Sequence, residues 1–170
     1  METIPRRLDV VGREDAELRI LTPDDWRIEH DLSRVADVPT WTMYPPDLTK
    51  EQSRARAGFN VDLVEAGLGI RYLVIEAGTI VGTAGFGRRA DGDHELFYAL
   101  KPEGRGRGLA TDAVRTLVDW LHASGARRLW LSTLDGNIAS ENVARRAGFV
   151  AVGTGVHVDG RPLTQWRRGL

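Results

Sequence analysis

A glycine-rich stretch over residues 102–111 is the part of this sequence whose residue types and spacing could hold a reactive group. Gly104, Gly106 and Gly108 occupy alternate positions in it, with arginines between them. Alternate glycines let a backbone turn sharply and approach a ligand closely. The stretch leads into a predicted helix, whose free N–H groups and partial positive charge favour an anion. It therefore predicts a site for a phosphate or pyrophosphate group.

Two common phosphate-binding loops do not fit these residues. A P-loop requires a Gly-Lys pair, and neither Lys50 nor Lys101 follows a glycine. The dinucleotide fingerprint requires Gly-x-Gly-x-x-Gly, but Leu109 and Thr111 stand where its third glycine would be. No acidic residue closes the next predicted strand, as that fingerprint also needs. Neither Walker-type nucleotide hydrolysis nor NAD binding is therefore expected.

Length and composition set the class of protein. The 170 residues suit one domain or at most two small ones, and 42% of them are hydrophobic, enough for an ordinary core. The net charge of −1 argues against a nucleic acid bound by bulk electrostatics. The absence of cysteine excludes disulfides, cysteine zinc ligands and a cysteine nucleophile. No apolar run reaches the roughly 18 residues that span a membrane, so we expect a soluble cytoplasmic protein.

Strand and helix signals alternate along the chain and predict a mixed α/β sheet. Residues 1–16 are expected to form a flexible, frayed lead-in, and residues 17–170 a single domain. A parallel β-α-β unit over residues 95–133 should lie at the centre, surrounded by antiparallel hairpins. A proline-stiffened aromatic loop is expected at residues 38–48. Strands are predicted at residues 18–21, 72–76, 80–86, 95–100, 128–133, 149–158 and 163–168, and helices at residues 22–35, 49–66, 108–123 and 138–147.

Two segments resemble one family of enzymes. Arg105-x-x-Gly108-x-Ala110 matches the Arg/Gln-x-x-Gly-x-Gly/Ala signature of the GNAT acyl-CoA N-acyltransferases. Downstream, residues 137–149 begin with Asn-x-x-Ser and end with Gly-Phe, and this order resembles a second segment of that family. The resemblance implies the GNAT fold, with a mixed and mostly antiparallel sheet built around a β-α-β acyl-CoA-binding unit.

Two further segments resemble the RimJ/RimL-like branch of that family. Glu95-Leu-Phe-Tyr98 is similar to the branch's Glu-x-x-Tyr strand. The pattern of residues 18–25, followed by Trp41 and a helix start at Thr49, resembles the branch as well. The four segments are in register, and the resemblance extends from about residue 17 to residue 169.

The resemblance implies acetyl-CoA as co-substrate and no metal. In the family the pyrophosphate lies on the backbone amides of the glycine-rich loop, which here belong to Arg105, Gly106, Arg107, Gly108, Leu109 and Ala110, with Thr111 nearby. We expect the arginine side chains to remain in solvent. The pantetheine arm is expected to pair like an added strand with the backbone of Tyr98 and Leu100. Asn137 matches the asparagine that bonds the end of this arm and also suits a helix N-cap, and Asn142 is a weaker candidate.

Acyl transfer to an amine needs proton transfers at two places. An alkyl ammonium has a pKa of about 10 and must lose a proton, while the departing thiolate must gain one. Glu95 stands where the family often has an acid and is the candidate base, with the adjacent His94 as the alternative. Ala144 stands where many relatives have a tyrosine that protonates the thiolate. Ser140 is the candidate for hydrogen bonding to the sulfur, and the general acid is left unassigned.

The implied activity is an N-acetyltransferase that moves an acetyl group directly to a primary amine in a ternary complex. The acceptor would be a protein N-terminus or a small-molecule amine. Because the chain has no cysteine, no acyl-cysteine intermediate can form, which favours direct transfer. The alternative is a non-catalytic acyl-CoA-binding or regulatory module of the same fold. A homodimer is left open, and no nucleic acid or membrane partner is expected.

The acceptor site should be built by the N-terminal helices and the last hairpin. Aromatic residues are the candidates for its lining, namely Trp41, Tyr44, Phe59 and Trp166. Three acids, Asp24, Glu51 and Glu65, are candidates for attracting a cationic amine.

Overall fold

The computed structural model describes residues 4–169 and contains one eight-stranded sheet with helices on both faces. The strands are β1 (Arg7–Asp9), β2 (Ala16–Ile20), β3 (Gly69–Glu76), β4 (Thr79–Arg88), β5 (His94–Leu100), β6 (Arg128–Leu134), β7 (Val150–Val156) and β8 (Pro162–Gly169). The α-helices are α1 (Trp26–Leu32), α2 (Asp37–Trp41), α3 (Lys50–Glu65), α4 (Leu109–Ala123) and α5 (Ile138–Arg146). Single 3₁₀ turns occur at Pro23–Asp25 and Pro102–Gly104.

The strand order is β1-β2-β3-β4-β5-β6-β8-β7. Only the β5–β6 pair is parallel within residues 4–169, and α4 connects these two strands. The other neighbours pair antiparallel. This arrangement confirms the predicted mixed α/β sheet, mostly antiparallel, around a central β-α-β unit.

The alternation of side chains along β3 divides the core into two layers. Ile70, Tyr72 and Val74 point to the face that α4 covers. Leu73 and Ile75 point to the opposite face, which α1 and α3 cover. Helix α4 buries the apolar stripe predicted from its 3.6-residue period, namely Ala113, Val114, Leu117, Val118 and Leu121. Residues at even positions of β3 therefore belong to one layer and residues at odd positions to the other.

The N-terminal segment differs from the prediction of a frayed lead-in. Its first three residues lie outside the described part of the chain, but Arg7–Asp9 forms an antiparallel ladder with β2. Arg7 Nε also lies 2.7 Å from a carboxylate oxygen of Glu17. Val10 is 2% exposed in the core. The side chains of an edge strand lie mostly in solvent and can be charged. Residues 7–9 therefore lack the apolar pattern that would have predicted a strand.

The predicted helix over residues 22–35 is also shorter than expected. The chain makes one 3₁₀ turn after Thr22, whose backbone N–H donates to Asp25 Oδ2 at 2.9 Å, and α1 follows. The helix ends early because the Ser33 hydroxyl donates to the His30 carbonyl at 2.7 Å and accepts the Leu48 N–H at 3.1 Å. The expected aromatic loop over residues 38–48 contains most of α2.

Across residues 4–169, no helix is both long and apolar enough to cross a membrane.

Candidate active site

Strands β5 and β6 open a gap at the centre of the sheet. Their parallel ladder holds only two residue pairs, His94 with Leu129 and Glu95 with Trp130. At the far end of β5, the Lys101 N–H donates to the Val81 carbonyl on β4 at 2.8 Å. Because hydrogen-bonded pairs alternate in an antiparallel ladder, the backbone groups of Tyr98 and Leu100 face away from β4 and toward the gap. The two residues expected to pair with an extended ligand therefore border an open edge.

The glycine-rich loop lies beside this gap and ends in the N-terminus of α4. Gly106 and Gly108 have φ angles of +82° and +80°, a conformation that side chains with a Cβ rarely adopt. Within the described chain, the backbone N–H groups of residues 106–111 donate to no protein acceptor. Six consecutive free donors at a helix N-terminus form a concentrated anion site. The Arg105 N–H is not among them, because it donates to the Pro102 carbonyl at 3.1 Å.

A cavity of about 320 Å³ runs along this loop and the open edge of β5. Every residue predicted to contact the cofactor lines it except Arg107. Asn137 caps α5, with its side-chain oxygen accepting the Ser140 N–H at 3.2 Å, so the predicted N-cap is confirmed. Asn142 and Arg146 line the cavity from the same helix. The loop, the strand edge and α5 therefore form three sides of a single groove.

Arg105 does not stay free in solvent as expected, whereas the Arg107 side chain remains exposed. Arg105 Nη1 and Nη2 lie 2.6 and 3.0 Å from the two carboxylate oxygens of Asp37, and Arg105 Nε donates to the Leu100 carbonyl at 2.9 Å. The guanidinium thus ties the loop to α2 and to the end of β5. The hydrogen bond from Arg105 holds the pKa of the Asp37 carboxyl below its usual value, so the pair stays charged at neutral pH.

A second set of ion pairs ties the loop to the N-terminal segment. Arg13 Nε lies 2.8 Å from Asp112 Oδ2, and Arg13 Nη1 lies 3.1 Å from Glu76 Oε1. Arg13 Nη2 also donates to the Arg107 carbonyl, and the Arg107 side chain contacts Glu76. These contacts hold the loop backbone at Arg107 against the N-terminal segment. The sequence carried no signal for Arg13, which is 94 residues from Arg107.

Tyr98 and Ser140 meet where this groove joins a second cavity. The Tyr98 hydroxyl donates to Ser140 Oγ, with the two oxygens 3.0 Å apart. Burial raises the pKa of Tyr98 to about 12, with the Ser140 contact opposing part of that rise. The phenol therefore remains protonated at neutral pH and keeps donating to Ser140. Both residues line both cavities.

The second cavity has a volume of about 690 Å³ and lies on the α1–α3 face of the sheet. Glu95 lines it and has both carboxylate oxygens engaged. Glu95 Oε2 lies 3.0 Å from Arg89 Nη1, and Oε1 accepts the Ser132 hydroxyl at 2.6 Å. The side chain is 35% exposed, so water and a ligand can reach it.

His94, the alternative base, lies elsewhere. Its ring packs edge-on against Phe86 at a centroid distance of 5.3 Å, within the α4 layer, and lines neither cavity. Burial lowers the pKa of His94, and Arg88 adds to this effect. The structure therefore brings Glu95, but not His94, to the second cavity.

Only some of the residues predicted to line an acceptor site lie at the second cavity. Trp41 and Tyr44 line the second cavity. Phe59 is 57% exposed on the surface, and Trp166 is buried with its indole N–H donating to Thr133 at 2.8 Å, so neither belongs to the site. None of the acids Asp24, Glu51 and Glu65 lines the cavity. The cavity is lined instead by arginines, which sequence reasoning missed: Arg56, Arg71, Arg88 and Arg89.

No group of three or more His, Cys, Asp or Glu side chains in residues 4–169 is arranged to hold a metal ion. The groups that line the two cavities include backbone amides, hydroxyls, a carboxylate and guanidinium groups.

The fold is similar to several solved acetyltransferase structures. RimL, a ribosomal L7/L12 alpha-N-protein acetyltransferase solved with coenzyme A, superposes with a TM-score of 0.86 at 20% identity, over 95% of this chain and 97% of that one. An acetyltransferase from Salmonella typhimurium that modifies the N-terminal serine of ribosomal protein L7/L12 gives 0.84 at 20% identity, over 96% and 99%. The aminoglycoside acetyltransferase AAC(6')-Ib, also with coenzyme A, gives 0.78 at 18% identity, over 91% and 94%. No curated protein matches the sequence.

The sequence itself carries a family signature over most of its length. Residues 16–150 match the acetyltransferase (GNAT) domain. This range includes the two segments that resemble the RimJ/RimL-like branch, at residues 18–25 and 95–98, together with the glycine-rich loop and α5. The resemblance to GNAT N-acetyltransferases that the motifs indicated is confirmed, and the RimL structures share the predicted fold. The chain belongs to the GNAT acetyltransferase family.

Proposed function

We propose that this protein transfers an acetyl group from acetyl-CoA directly to a primary amine, a protein N-terminus or a small-molecule amine, in a ternary complex. The observation that carries the proposal is the row of free amides at residues 106–111 beside the open edge of β5. A pyrophosphate fits the amides, and an extended pantetheine arm fits the edge as an added strand. The two features lie on one groove, as one ligand with both parts requires.

The cofactor residues have separate tasks in this proposal. The amides of Gly106, Arg107, Gly108, Leu109, Ala110 and Thr111 hold the pyrophosphate. The backbone of Tyr98 and Leu100 pairs with the pantetheine arm, and Asn137 and Asn142 bond to it from α5. Arg105 acts through its side chain, because its pair with Asp37 keeps the loop in place. Arg146, which lines the groove, is suited to a further phosphate of the cofactor.

The proton transfers follow from the residues of the second cavity and of its junction with the groove. Glu95 accepts the proton of the amine, directly or through a water, because its carboxylate faces the acceptor cavity. Ser140 donates a hydrogen bond to the departing sulfur. Its own oxygen accepts the Tyr98 hydroxyl, so its proton is free to point into the groove. The Tyr98–Ser140 pair thus stabilises the departing thiolate by a hydrogen bond, and the group that then protonates it is left unassigned.

Similar proteins support an amine acceptor and the RimL-like branch. RimL acts on the N-terminal amine of a ribosomal protein, and AAC(6')-Ib acts on aminoglycosides, as their names state. In this chain a second cavity adjoins the groove beside the glycine-rich loop, with Tyr98 and Ser140 lining both. A cavity of about 690 Å³ is large enough for the end of a peptide or for a small molecule.

The test is release of free thiol from acetyl-CoA in the presence of a panel of amines. We expect turnover with at least one N-terminal peptide or small amine, and linear double-reciprocal plots that intersect, as a ternary complex requires. The Glu95→Gln variant should lose roughly 100-fold in kcat with unchanged coenzyme A affinity. Calorimetric binding of coenzyme A without turnover on any amine would favour the non-catalytic module instead. No binding of coenzyme A would refute both.

The location and the oligomeric state complete the proposal. We place the protein in the cytoplasm as a soluble enzyme, with no nucleic acid or membrane partner. A homodimer stays a prediction, supported by the edge strand β7, whose residues Val150, Val152 and Val156 are 61%, 42% and 73% exposed. Light scattering after size-exclusion chromatography measures the oligomeric state.

A further inference from the structure

A buried carboxylate on α1 is shared by two arginines. Glu29 is fully buried, and its Oε1 accepts from Arg71 Nη1 at 2.8 Å while its Oε2 accepts from Arg56 Nε at 3.0 Å. Neither arginine has another acidic partner within residues 4–169. Arginine remains charged at every physiological pH. One negative charge therefore faces two positive charges, and the cluster of Glu29, Arg56 and Arg71 has a surplus of one positive charge.

This surplus charge lies at the wall of the acceptor cavity. Arg56 and Arg71 both line it, together with Tyr44 and Phe97. The Arg56 and Arg71 guanidinium carbons lie 4.9 and 5.6 Å from the Tyr44 ring centroid, and Arg71 lies 5.3 Å from that of Phe97. Arg71 Nε is buried and has no hydrogen-bond partner in the described chain. The aromatic rings hold the guanidinium groups in place without neutralising their charge.

The rest of the lining does not neutralise this surplus. Arg89 lines the cavity and is paired with Glu95, the single acid among the described lining residues. Arg88 is opposite His94 in the β4–β5 ladder, so its side chain points to the α4 face and adds no charge to the cavity. Burial raises the pKa of Tyr44 to about 12, so this phenol contributes no charge. A cation without a compensating group would therefore be repelled from this cavity.

We propose that the natural acceptor carries an oxyanion, a carboxylate or a phosphate, which binds to Arg56 and Arg71 while its amine faces Glu95. The planar forks of two guanidinium groups match the oxygens of such a group. The proposal rests on the proposed acetyl transfer and adds the class of acceptor. An anion would occupy the place of the second carboxylate that the two arginines lack.

The sheet register adds a length requirement. Arg71 is opposite Gly85, Gly85 is opposite Phe97, and Glu95 lies two residues before Phe97 on the same face of β5. Two strand spacings and two residue steps put the Cα atoms of Arg71 and Glu95 roughly 12 Å apart. The amine and the anion of the acceptor must therefore be several bonds apart. A side chain at the second position of a peptide meets this requirement better than the α-carboxylate of a free amino acid.

Matched acceptors test the charge. Seryl-glutamyl amide and seryl-glutaminyl amide share the same N-terminal amine and differ in one distant charge, and seryl-phosphoseryl amide against diseryl amide separates phosphate from carboxylate. We expect at least one anionic member to exceed its neutral partner about tenfold or more in kcat/KM, measured by thiol release from acetyl-CoA at low ionic strength. Equal kcat/KM within both pairs would overturn the proposal.

Charge-balancing variants separate this role from a structural one. Arg56→Gln leaves Glu29 paired with Arg71 and removes the surplus, so the preference for the anion should disappear. Adding Glu29→Gln to that variant restores one net positive charge, and the preference should return. Arg54→Gln is the control, because Arg54 lies on the same helix but stacks on Trp26 at 4.4 Å and does not line the cavity. An unchanged preference in Arg56→Gln would contradict the proposal.

Binding of the acetylated products keeps this test independent of turnover. Calorimetry with coenzyme A present compares the N-acetyl forms of the same peptides on the native protein and on Arg56→Gln. Selective binding of anionic products without turnover would uphold the anion site and refute acetyl transfer. Turnover without selectivity would uphold transfer and refute the anion site. Absence of selectivity in both measurements would refute the anion site as well.

Discussion

The hydroxyl of Tyr98 on β5 donates a hydrogen bond to the hydroxyl of Ser140 on α5, across the gap where the central strands separate. This contact joins the strand expected to hold the pantetheine arm to the helix that closes the groove. Burial keeps the phenol protonated by raising the pKa of Tyr98 to about 12. The direction of the hydrogen bond is therefore constant over the pH range in which amines are acetylated, and the Ser140 proton is left for the ligand.

Replacement of Tyr98 by phenylalanine removes that donor while it keeps the ring. We expect Tyr98→Phe to lower kcat roughly 100-fold, with little change in the KM for acetyl-CoA, because the Ser140 hydroxyl then loses its fixed orientation. Ser140→Ala should cost about as much, and the double variant no more than either. Tyr72→Phe, which removes a buried hydroxyl that donates to Pro5 at 2.9 Å, is the control. Full additivity of the two single effects would contradict a shared role.

The pair between Arg105 and Asp37 predicts an effect on cofactor affinity. Asp37→Asn weakens the tie that holds the loop against α2, so the KM for acetyl-CoA should rise about fivefold at most, the range expected for an exposed ion pair. The value of kcat should not change. Because the Arg105 hydrogen bond lowers the pKa of Asp37, the native pair is fully charged at neutral pH, and the effect should be constant from pH 6 to 9. Asp9→Asn, in a surface pair with Arg7, is the control.

Gly108 is the position at which a side chain should do most harm to binding. Its φ of +80° strains any β-branched residue by roughly 1–3 kcal/mol, and relief of that strain turns the loop amides away from the groove. We expect Gly108→Val to weaken coenzyme A binding more than 100-fold by calorimetry. Gly125→Val carries similar strain at φ +93°, beyond the end of α4, and should lower the melting temperature alone. Retention of native affinity by Gly108→Val would refute the loop as the pyrophosphate site.

Most of the fold and of the groove beside the glycine-rich loop could be predicted from local sequence signals. The apolar stripe of α4, the glycines before it and the Asn137 cap act within one element, so residue type and spacing reveal them. The predicted helix over residues 49–66 agrees within a residue at each end with the observed Lys50–Glu65, whose start is fixed by a capping box between Thr49 and Gln52. These features depend on neighbours a few residues away along the chain.

The charged contacts of the site could not be predicted in this way. Arg13 meets Asp112, Arg105 meets Asp37, and Arg71 meets Glu29, in pairs separated by 99, 68 and 42 residues. The chain has 23 basic and 24 acidic residues, so any arginine has many formal partners. Tertiary packing alone decides among them. The same is true of the second cavity, whose arginines come from α3, from β3, from the end of β4 and from the residue after it.

His94 predicts how stability depends on pH. Burial against Phe86, with Arg88 adding to the effect, lowers the pKa of His94 below its ordinary value of 6.5. The unfolded chain therefore binds a proton more readily than the folded one, and stability that is present above pH 6.5 is lost as the pH falls below it. The His94→Gln variant should lose less unfolding free energy between pH 7.5 and 5.5 than the native protein, measured by denaturant titration. Burial also lowers the pKa of His122, so substitution of that residue as well should add to the effect in a double variant. Carboxylates do not titrate between pH 5.5 and 7.5 and so do not contribute to it. An identical loss in native and His94→Gln proteins would show that the imidazole is as easily protonated in the fold as in water.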